Sequence, residues 1–219
     1  MQPNLNKSVI IYIAIATLCI LANVSAFIFQ FFYYELPCPL CLLQRFGFIA
    51  IGFGATLSII HRTSWKYDSI ILISSIYTLV VAIRQILLHI APNDLGYGST
   101  FCGLHFYTWS AILSFSLILL MSMTTIIAST LNNFVILIDD QKLPYSNLDY
   151  KIFICNKSGF RVNIPISFFR YTGTVIEVIF LLITFINMIA TYFECGFSNC
   201  PADPTTYLEW GKVLKLFKS

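Results

Sequence analysis

Cys38 and Cys41 are the residues of this chain whose types and spacing most clearly suggest chemistry. They form a Cys-x-x-Cys pair with Pro39 and Leu40 between the two thiols. Two thiols at this spacing can close a small, easily reduced disulfide, or supply the thiolate that attacks one. The pair lies where one long apolar run ends and the next begins, so we expect its electrons to pass to or from a molecule dissolved in a membrane.

A metal site is the alternative interpretation of the same pair, because thiolates select soft ions such as Cu(I) or Zn²⁺. A closed zinc site usually needs four ligands. His89 and His105 flank a later connection and could contribute, whereas His61 is predicted to lie on the opposite side of the membrane. We favour redox chemistry and predict no metal. A copper-handling or purely structural membrane protein is the alternative of a different class.

The composition places the chain in a lipid bilayer. Of its 219 residues 58% are hydrophobic and 11% are charged, whereas soluble domains have about 25% charged residues. Five apolar runs approach the roughly 20 residues that a membrane-spanning helix requires. They are Val9–Tyr34, Leu42–Ile60, Ser69–Ile90, Leu104–Ile127 and Tyr171–Phe193. We predict an all-α integral membrane protein with one membrane domain over residues 1–219, a four-helix core plus one helix.

The first run could instead be a secretory signal peptide. Lys7 precedes it, and Val24-Ser25-Ala26 resembles a cleavage site with small residues. The apolar stretch is longer than the roughly 7–15 residues of a signal-peptide core. We therefore predict that it is retained as the first membrane helix.

The positions of lysine and arginine predict the orientation of the bundle. They cluster at the amino terminus and in the second and fourth connections, which the positive-inside rule assigns to the cytoplasm. The first connection (Tyr34 to Cys41) and the third (Ala91 to Gly103) have no lysine or arginine between the spans, so we expect both to face outward. The basic residues that set this orientation are Lys7, Arg62, Lys66, Lys142, Lys151, Lys157, Arg161 and Arg170.

The number of crossings then sorts the cysteines. A second pair, Cys195 and Cys200, follows the fifth crossing and should face the same oxidising compartment as the first pair, where disulfides persist. Gly, Ser, Asn and Pro around it indicate a tight loop. Two such pairs at one rim predict an electron relay. Cys102 shares that side without a partner, while Cys19 and Cys155 are interpreted as inert thiols.

Arg45 lies four residues after Cys41, about one helical turn into the second span and on the same face. A charge at this position is costly and usually functional, although a long side chain near a helix end can reach the headgroups. Beside Cys41 it would favour a thiolate, and it could donate hydrogen bonds to a reduced, anionic acceptor. Arg84, with Gln85 and His89, lies one turn below the third connection and invites the same argument. Arg84 and His89 are further candidates for binding the electron acceptor.

Several segments together resemble a known family. Leu36–Arg45, with its Cys-x-x-Cys and the arginine four residues on, resembles the first outward loop of the bacterial disulfide bond formation protein B (DsbB) family. The segments Arg84–Pro92 and Gly103–Trp109 and the carboxyl-terminal Glu194–Thr205 resemble a branch of that family with its second cysteine pair near the carboxyl terminus. The resemblance covers most of the chain except roughly Leu131–Arg170.

The resemblance implies a function and a location. Members of the family reoxidise a soluble periplasmic thiol oxidase, DsbA, and pass the electrons to ubiquinone or menaquinone. It implies a multi-pass protein of the bacterial inner membrane, with its amino terminus in the cytoplasm and both pairs in the periplasm. Cys38 and Cys41 would be the quinone-facing pair, and Arg45 would help to hold the quinone. A DsbA-like oxidase, a membrane quinone and the lipid bilayer are the implied partners.

The chain departs from the best-known members of the family in its second pair. Theirs lies in the outward loop before the fourth span, where this chain has only Cys102, so Cys195 and Cys200 would take that role. A vitamin K epoxide reductase-like enzyme, which also couples a Cys-x-x-Cys pair to a quinone, is the alternative within the same class. The segment Gly103–Trp109 argues against it.

Two remaining segments complete the predictions. In the cytoplasmic connection 131–170, Lys151–Cys155 and Phe160–Ile164 alternate in polarity around Asn-Lys-Ser-Gly and predict a small β-hairpin. In the periplasmic tail 194–219, the residues from Tyr207 to Phe217 predict a short helix on the membrane surface. The basic residues are dispersed and form no nucleic-acid patch, so we expect no nucleic-acid partner.

Overall fold

A computed structural model describes residues 5–33, 35–61, 65–91, 96–136, 152–155, 161–164, 166–196 and 200. Within these ranges the chain forms five long helices and two small antiparallel hairpins. The helices are α1 (Leu5–Phe32), α2 (Pro39–His61), α3 (Trp65–Leu88), α4 (Phe106–Ile136) and α5 (Ile166–Cys195). The strands are β1 (Thr100–Phe101), β2 (Leu104–His105), β3 (Ile152–Cys155) and β4 (Arg161–Ile164).

All five helices are long and apolar enough to cross a membrane, which confirms the predicted all-α membrane class. Each helix overlaps one of the predicted apolar runs. The most consequential difference is at the start of α2, which begins at Pro39 rather than after the cysteines. Cys41 therefore lies in the first turn of a helix and not in a loop.

Helix α2 is the centre of the bundle. It packs against α1, α3 and α5, and α3 packs in turn against α4. Consistent with this position, α2 is the most buried of the five helices. The other four each expose large apolar side chains, as expected for surfaces that face lipid. Side chains from all five helices meet in one hydrophobic core that includes Ala16, Ile51, Ile71, Met121 and Phe180.

The contact between α2 and α5 depends on a glycine. A Cβ atom added at Gly52 would lie 2.0 Å from Cζ of Phe180, which is almost fully buried. Gly173 of α5 makes a similar approach to Ile59 and Ile60 of α2. Close approach through small residues is a usual basis of helix association in a bilayer, so these two glycines allow α5 to dock on the core.

Two hairpins interrupt the helices. β1 pairs with β2 through a two-residue turn at Cys102 and Gly103, whose φ angles of 51° and 78° are both positive, as in the type I′ turns that suit hairpins. This hairpin was not predicted, because neither strand exceeds two residues. The other hairpin confirms the one that was predicted within residues 131–170, because β3 pairs with β4 in the register Ile152↔Ile164.

One end of the bundle gathers the start of α2 and the ends of α3 and α5. There Gln85 of α3 contacts Cys41 of α2, and α5 ends at Cys195. Both cysteine pairs thus lie at the same end, as the crossing count predicts. The predicted surface helix from Tyr207 to Phe217 lies outside the described residues. The orientation of the bundle and the division into connection and tail stay predictions.

Gly52→Val should weaken the docking of α5, because the added side chain must displace the ring of Phe180. Overpacking of this kind typically costs about 1–3 kcal/mol, which thermal unfolding of the purified protein in detergent would show as a lower Tm. Phe180→Leu makes room, so the double variant should lose less stability than the two single variants together. Strict additivity would contradict direct contact between these positions.

Candidate functional site

Cys38 caps the amino terminus of α2. Its carbonyl oxygen accepts the backbone N–H of Leu42 at 3.1 Å, and its Sγ accepts the backbone N–H of Cys41 at 3.2 Å. Pro39 occupies the first helical position, where its missing N–H is harmless and its fixed φ suits the helix. The Cys-Pro-x-Cys order therefore starts the helix locally. It also places both sulfurs at the positive end of the helix dipole.

The two thiols are not equivalent. The pKa of the Cys38 thiol is raised, first by its hydrogen bond with the Cys41 side chain and then by burial, while backbone N–H groups of Cys41 and Leu40 act in the opposite direction. Cys38 is buried, whereas Cys41 is partly exposed. Cys38 is therefore the member of the pair that holds its proton, and Cys41 is the accessible sulfur.

Gln85 of α3 contacts both sulfurs. Its Nε2 lies 3.3 Å from Sγ of Cys38 and 3.3 Å from Sγ of Cys41. Its Oε1 accepts a hydrogen bond from Nε2 of Gln44 at 2.7 Å. The Gln85 side chain is fully buried. The carboxamide thus joins the thiol pair to a second buried amide across the α2–α3 interface.

Arg45 is held against α1. Its Nη1 donates to Oε1 of Gln30 at 2.6 Å, and its Nη2 donates to the carbonyl oxygen of Ala26 at 3.1 Å. The guanidinium carbon also lies 5.4 Å from the centroid of the Phe27 ring, within the range of a cation–π interaction. The side chain is 8% exposed. It is therefore a buried cation fixed by α1, and not a residue that extends to the headgroups.

A cavity of about 380 Å³ opens beside Cys41 and Arg45, and both residues line it. Its volume falls in the range of about 300–1,000 Å³ typical of small-molecule sites. The walls are predominantly apolar and aromatic, with a few polar groups. They include Ala22, Phe29, Leu36, Gln44, Phe48, Tyr97, Phe101, Phe106, Tyr107, Trp109, Ser110 and Leu113.

The third connection covers one side of this cavity and is fastened to the first. Tyr97 donates from its hydroxyl to the carbonyl oxygen of Leu36 at 2.5 Å. Ser99 donates its hydroxyl and its backbone N–H to the carboxylate of Glu35, the latter at 3.2 Å. The indole N–H of Trp109 donates to the carbonyl oxygen of Phe101 at 2.9 Å. These bonds fix the aromatic wall over the thiol pair.

Cys195 and Cys200 form a disulfide, with Cα atoms 4.7 Å apart. Cys195 is buried at the end of α5, and Cys200 is partly exposed. The preceding residue, Glu194, is buried and interacts electrostatically with Arg45 and Cys41. Its Oε2 has no hydrogen-bond partner among the described residues. Glu194 thus connects the second pair with the first.

The predicted site residues do not all meet. Cys41 and Arg45 share the cavity, with Cys38 behind them. Arg84 is exposed on α3, and neither Arg84 nor His89 is among the residues that line the cavity. His89 instead stacks on the cavity residue Tyr107, with ring centroids 5.8 Å apart.

Two cysteines outside the two pairs differ in exposure, and the burial of Cys19 agrees with its interpretation as an inert thiol. Cys19 is fully buried in the hydrophobic core, whereas Cys102 is exposed on the turn between β1 and β2. Across the described residues, no group of three or more His, Cys, Asp or Glu side chains could hold a metal ion.

Gln44 and Glu194 belong to the site but were not predicted, and Gln85 was named only beside Arg84 and not among the predicted site residues. The signal for Gln85 was present: a neutral amide next to Arg84 in an otherwise apolar span must find a buried partner. Glu194 stands one residue before a cysteine already singled out. Sequence reasoning gave weight to the charge of Arg84, but the helix turns that side chain outward and its neighbour inward.

The fold and this site define a multi-pass helical membrane protein with a thiol pair beside an apolar cavity. A family model, "Disulfide bond formation protein DsbB", matches residues 8–97. This part of the chain, which includes Cys38, Cys41 and Arg45, is therefore similar to the DsbB family. The resemblance inferred from the motifs is confirmed over these residues.

Two curated relatives are similar to the chain. Disulfide bond formation protein B of Chromobacterium violaceum is 32% identical over 87 residues, which are 38% of this chain and 52% of the relative. Disulfide bond formation protein B of Marinobacter nauticus is 37% identical over 62 residues, 26% of this chain and 37% of the relative. The chain thus spans about half the length of the first relative and less of the second. No solved structure matches it.

Proposed function

We propose that this protein is a thiol:quinone oxidoreductase of the bacterial inner membrane. It takes electrons from a periplasmic DsbA-like dithiol oxidase and delivers them to ubiquinone or menaquinone, which sustains disulfide formation in exported proteins. The match to the DsbB family model over residues 8–97 and the similarity to a curated disulfide bond formation protein B support disulfide chemistry. The amino terminus faces the cytoplasm and both cysteine pairs face the periplasm, in accord with the positive-inside rule.

The observation that carries the proposal is the shared cavity of Cys41 and Arg45. A quinone ring is flat and is polar only at its two oxygens, so it suits a cavity with aromatic walls and a cationic group, here Arg45, among its lining residues. Arg45 would bind an oxygen on which negative charge develops, and Cys41 would present its sulfur to the ring. The quinone is a substrate here, and the two cysteines are the electron donors.

The two pairs give a relay whose atoms balance. The partner's dithiol reduces the Cys195–Cys200 disulfide and becomes a disulfide itself. The resulting thiolate attacks the Cys38–Cys41 disulfide, so that the second pair is oxidised and the first pair becomes a dithiol. Oxidation of that dithiol to a disulfide releases two electrons and two protons, which convert the quinone to a quinol.

Purified protein supplied with a reduced thioredoxin-like donor should reduce a short-chain ubiquinone or menaquinone. The expected readout is loss of quinone absorbance matched by oxidation of one dithiol per quinone. Cys41→Ala should abolish turnover, because the accessible sulfur is lost, while Cys19→Ala serves as a control remote from the site. Tight copper binding at Cys38 and Cys41 without quinone reduction would instead support the copper-handling alternative.

The second pair should trap the partner asymmetrically. Because Cys200 is partly exposed and Cys195 is buried, we expect the incoming thiolate to attack Cys200 and release Cys195. In Cys195→Ala protein whose Cys200 is activated with a pyridyl disulfide, a thioredoxin-like dithiol with one cysteine removed should therefore form a stable adduct on non-reducing gels.

The matched control for this trap is Cys200→Ala protein activated in the same way at Cys195, which should yield much less adduct. Equal adducts from both variants would contradict the order of attack. Full turnover in both single variants without any adduct would show that the second pair is dispensable.

Arg45→Ala should impair quinone use while leaving exchange at Cys195 and Cys200 intact. Hydrogen bonds to charged groups are worth about 1.5–3 kcal/mol, so we expect about a tenfold to hundredfold loss in kcat/KM for the quinone. Arg45→Lys should recover only part of it, since lysine keeps the charge but loses the planar fork of donors. Steady-state kinetics with varied quinone would measure both effects.

The Arg45 variants need a stability control, because Gln30 and the Ala26 carbonyl lose a partner with them. A Tm measurement separates unfolding from loss of quinone binding. If Arg45→Ala left quinone kinetics unchanged while Arg84→Ala or His89→Ala abolished them, the acceptor would bind at the end of α3 and the assignment of Arg45 would be wrong.

A further inference from the structure

Gln85 is the residue whose contacts the proposed relay leaves unexplained. Its side chain is fully buried in the α2–α3 interface, where a carboxamide costs free energy unless its donors and acceptor are paired. Both of its N–H bonds can be directed at sulfur, since Nε2 lies 3.3 Å from each Sγ of the pair formed by Cys38 and Cys41.

Gln44 fixes the orientation of this amide. It donates from Nε2 to Oε1 of Gln85 at 2.7 Å, which leaves the Gln85 nitrogen facing the sulfurs, and the oxygen has a second lone pair that can accept another hydrogen bond. Gln44 is itself buried on α2, six residues after Cys38, the capping residue of that helix. The two amides therefore form a short chain that ends in a pair of N–H donors between Cys38 and Cys41.

The amide can serve both protonation states of Cys41. As a thiolate, Cys41 accepts from Nε2 of Gln85 at 3.3 Å. As a thiol, it can donate to Oε1, which lies 3.8 Å from its sulfur. A group that offers a donor and an acceptor to one sulfur can remain in place while the proton and the electrons leave.

We propose that Gln85 is a catalytic residue of the thiol pair, whose carboxamide stabilises the thiolate that appears when the Cys38–Cys41 disulfide is opened. Gln44 is a positioning residue that acts through Gln85. The inference rests on the proposed function for its place in the relay. The property it assigns, a stabilised reduced state of this pair, is measurable without any quinone or partner.

Opening of the Cys38–Cys41 disulfide leaves a negative charge on one of its sulfurs. An attacking thiolate forms a new S–S bond with one sulfur of the pair and breaks the Cys38–Cys41 bond. The electron pair of the broken bond remains on the other sulfur, which becomes a thiolate. Because Nε2 of Gln85 is equidistant from both sulfurs, it can donate to whichever sulfur leaves. When the dithiol is later oxidised, the same hydrogen bond is given up as the negative charge leaves the sulfur.

The reduction potential of the pair is the direct test. In a Cys195→Ala/Cys200→Ala background, quinone-free protein is equilibrated with glutathione buffers, and the Cys38–Cys41 redox state is read by alkylation and mass. Stabilising the reduced form makes a disulfide more oxidising. Gln85→Leu should therefore lower the potential, with about a tenfold to hundredfold change in the equilibrium constant with glutathione.

Alkylation of Cys41 by iodoacetamide at neutral pH gives an independent readout. Only the thiolate reacts, so Gln85→Leu should slow the reaction by a similar factor. Gln44→Leu should shift both quantities in the same direction but less, because the amide of Gln85 remains. Ser75→Ala is the matched control: Ser75 is also fully buried on α3, and its hydroxyl donates to the carbonyl oxygen of Ile71. It should change neither quantity.

Gln85→Glu keeps the shape of the side chain and replaces the donor with a carboxylate oxygen. It should lower the potential at least as far as leucine does, and it supplies the measurement if Gln85→Leu does not fold. An unchanged potential and alkylation rate in a folded Gln85→Leu or Gln85→Glu variant would overturn the inference. If the wild type reduces no quinone yet the potential still depends on Gln85, the proposed electron acceptor fails and the role of Gln85 stands.

Discussion

Burial of polar side chains at one end of an apolar bundle is the constraint on which the rest of this structure depends. Arg45 is held by two acceptors on α1, and Gln85 is held by Gln44 and two sulfurs on α2. Each of these bonds joins neighbouring helices. A shift of one residue turns a helix by about 100° and would leave a buried charge or amide unpaired, at several kcal/mol. The polar contacts of the site therefore also fix the rotation of three helices.

The apolar packing below the site provides the closeness that these bonds require. A Cβ atom at Gly47 would lie 2.0 Å from Oγ1 of Thr78, so α2 and α3 touch where that side chain is absent. Gly47 follows Arg45 by two residues, and Thr78 precedes Gln85 by two helical turns on the same face. The distance from Gln85 to the sulfurs is thus set partly by a glycine that takes no part in chemistry. Small residues are an integral part of the site.

The sequence predicted those features of the site that depend on a residue type that is rare in a membrane. It did not predict the features that depend on which neighbouring helix a side chain faces. The five spans and the pairing of Cys41 with Arg45 followed from apolar length and from helical spacing. The role of Cys38 as a helix cap was not predicted, because cysteine is an uncommon cap and the pair was expected to lie in a loop. The role of Gln85 depends on which side of α3 faces α2. Hydrophobic periodicity alone does not identify the side of α3 that faces α2, because this helix is apolar all round.

The part of the chain that matches the family model supplies the first thiol pair, Arg45 and Gln85, but only part of the cavity lining. The opposing wall comes from residues beyond the matched range 8–97, chiefly Phe101, Phe106, Tyr107 and Trp109. The second disulfide also lies beyond it. The thiol pair and its amide require particular atoms at particular distances, whereas a cavity wall requires shape. The shape of the opposing wall therefore depends on α4 and the loop before it, and the contacts of the two sulfurs depend on the start of α2 and on α3.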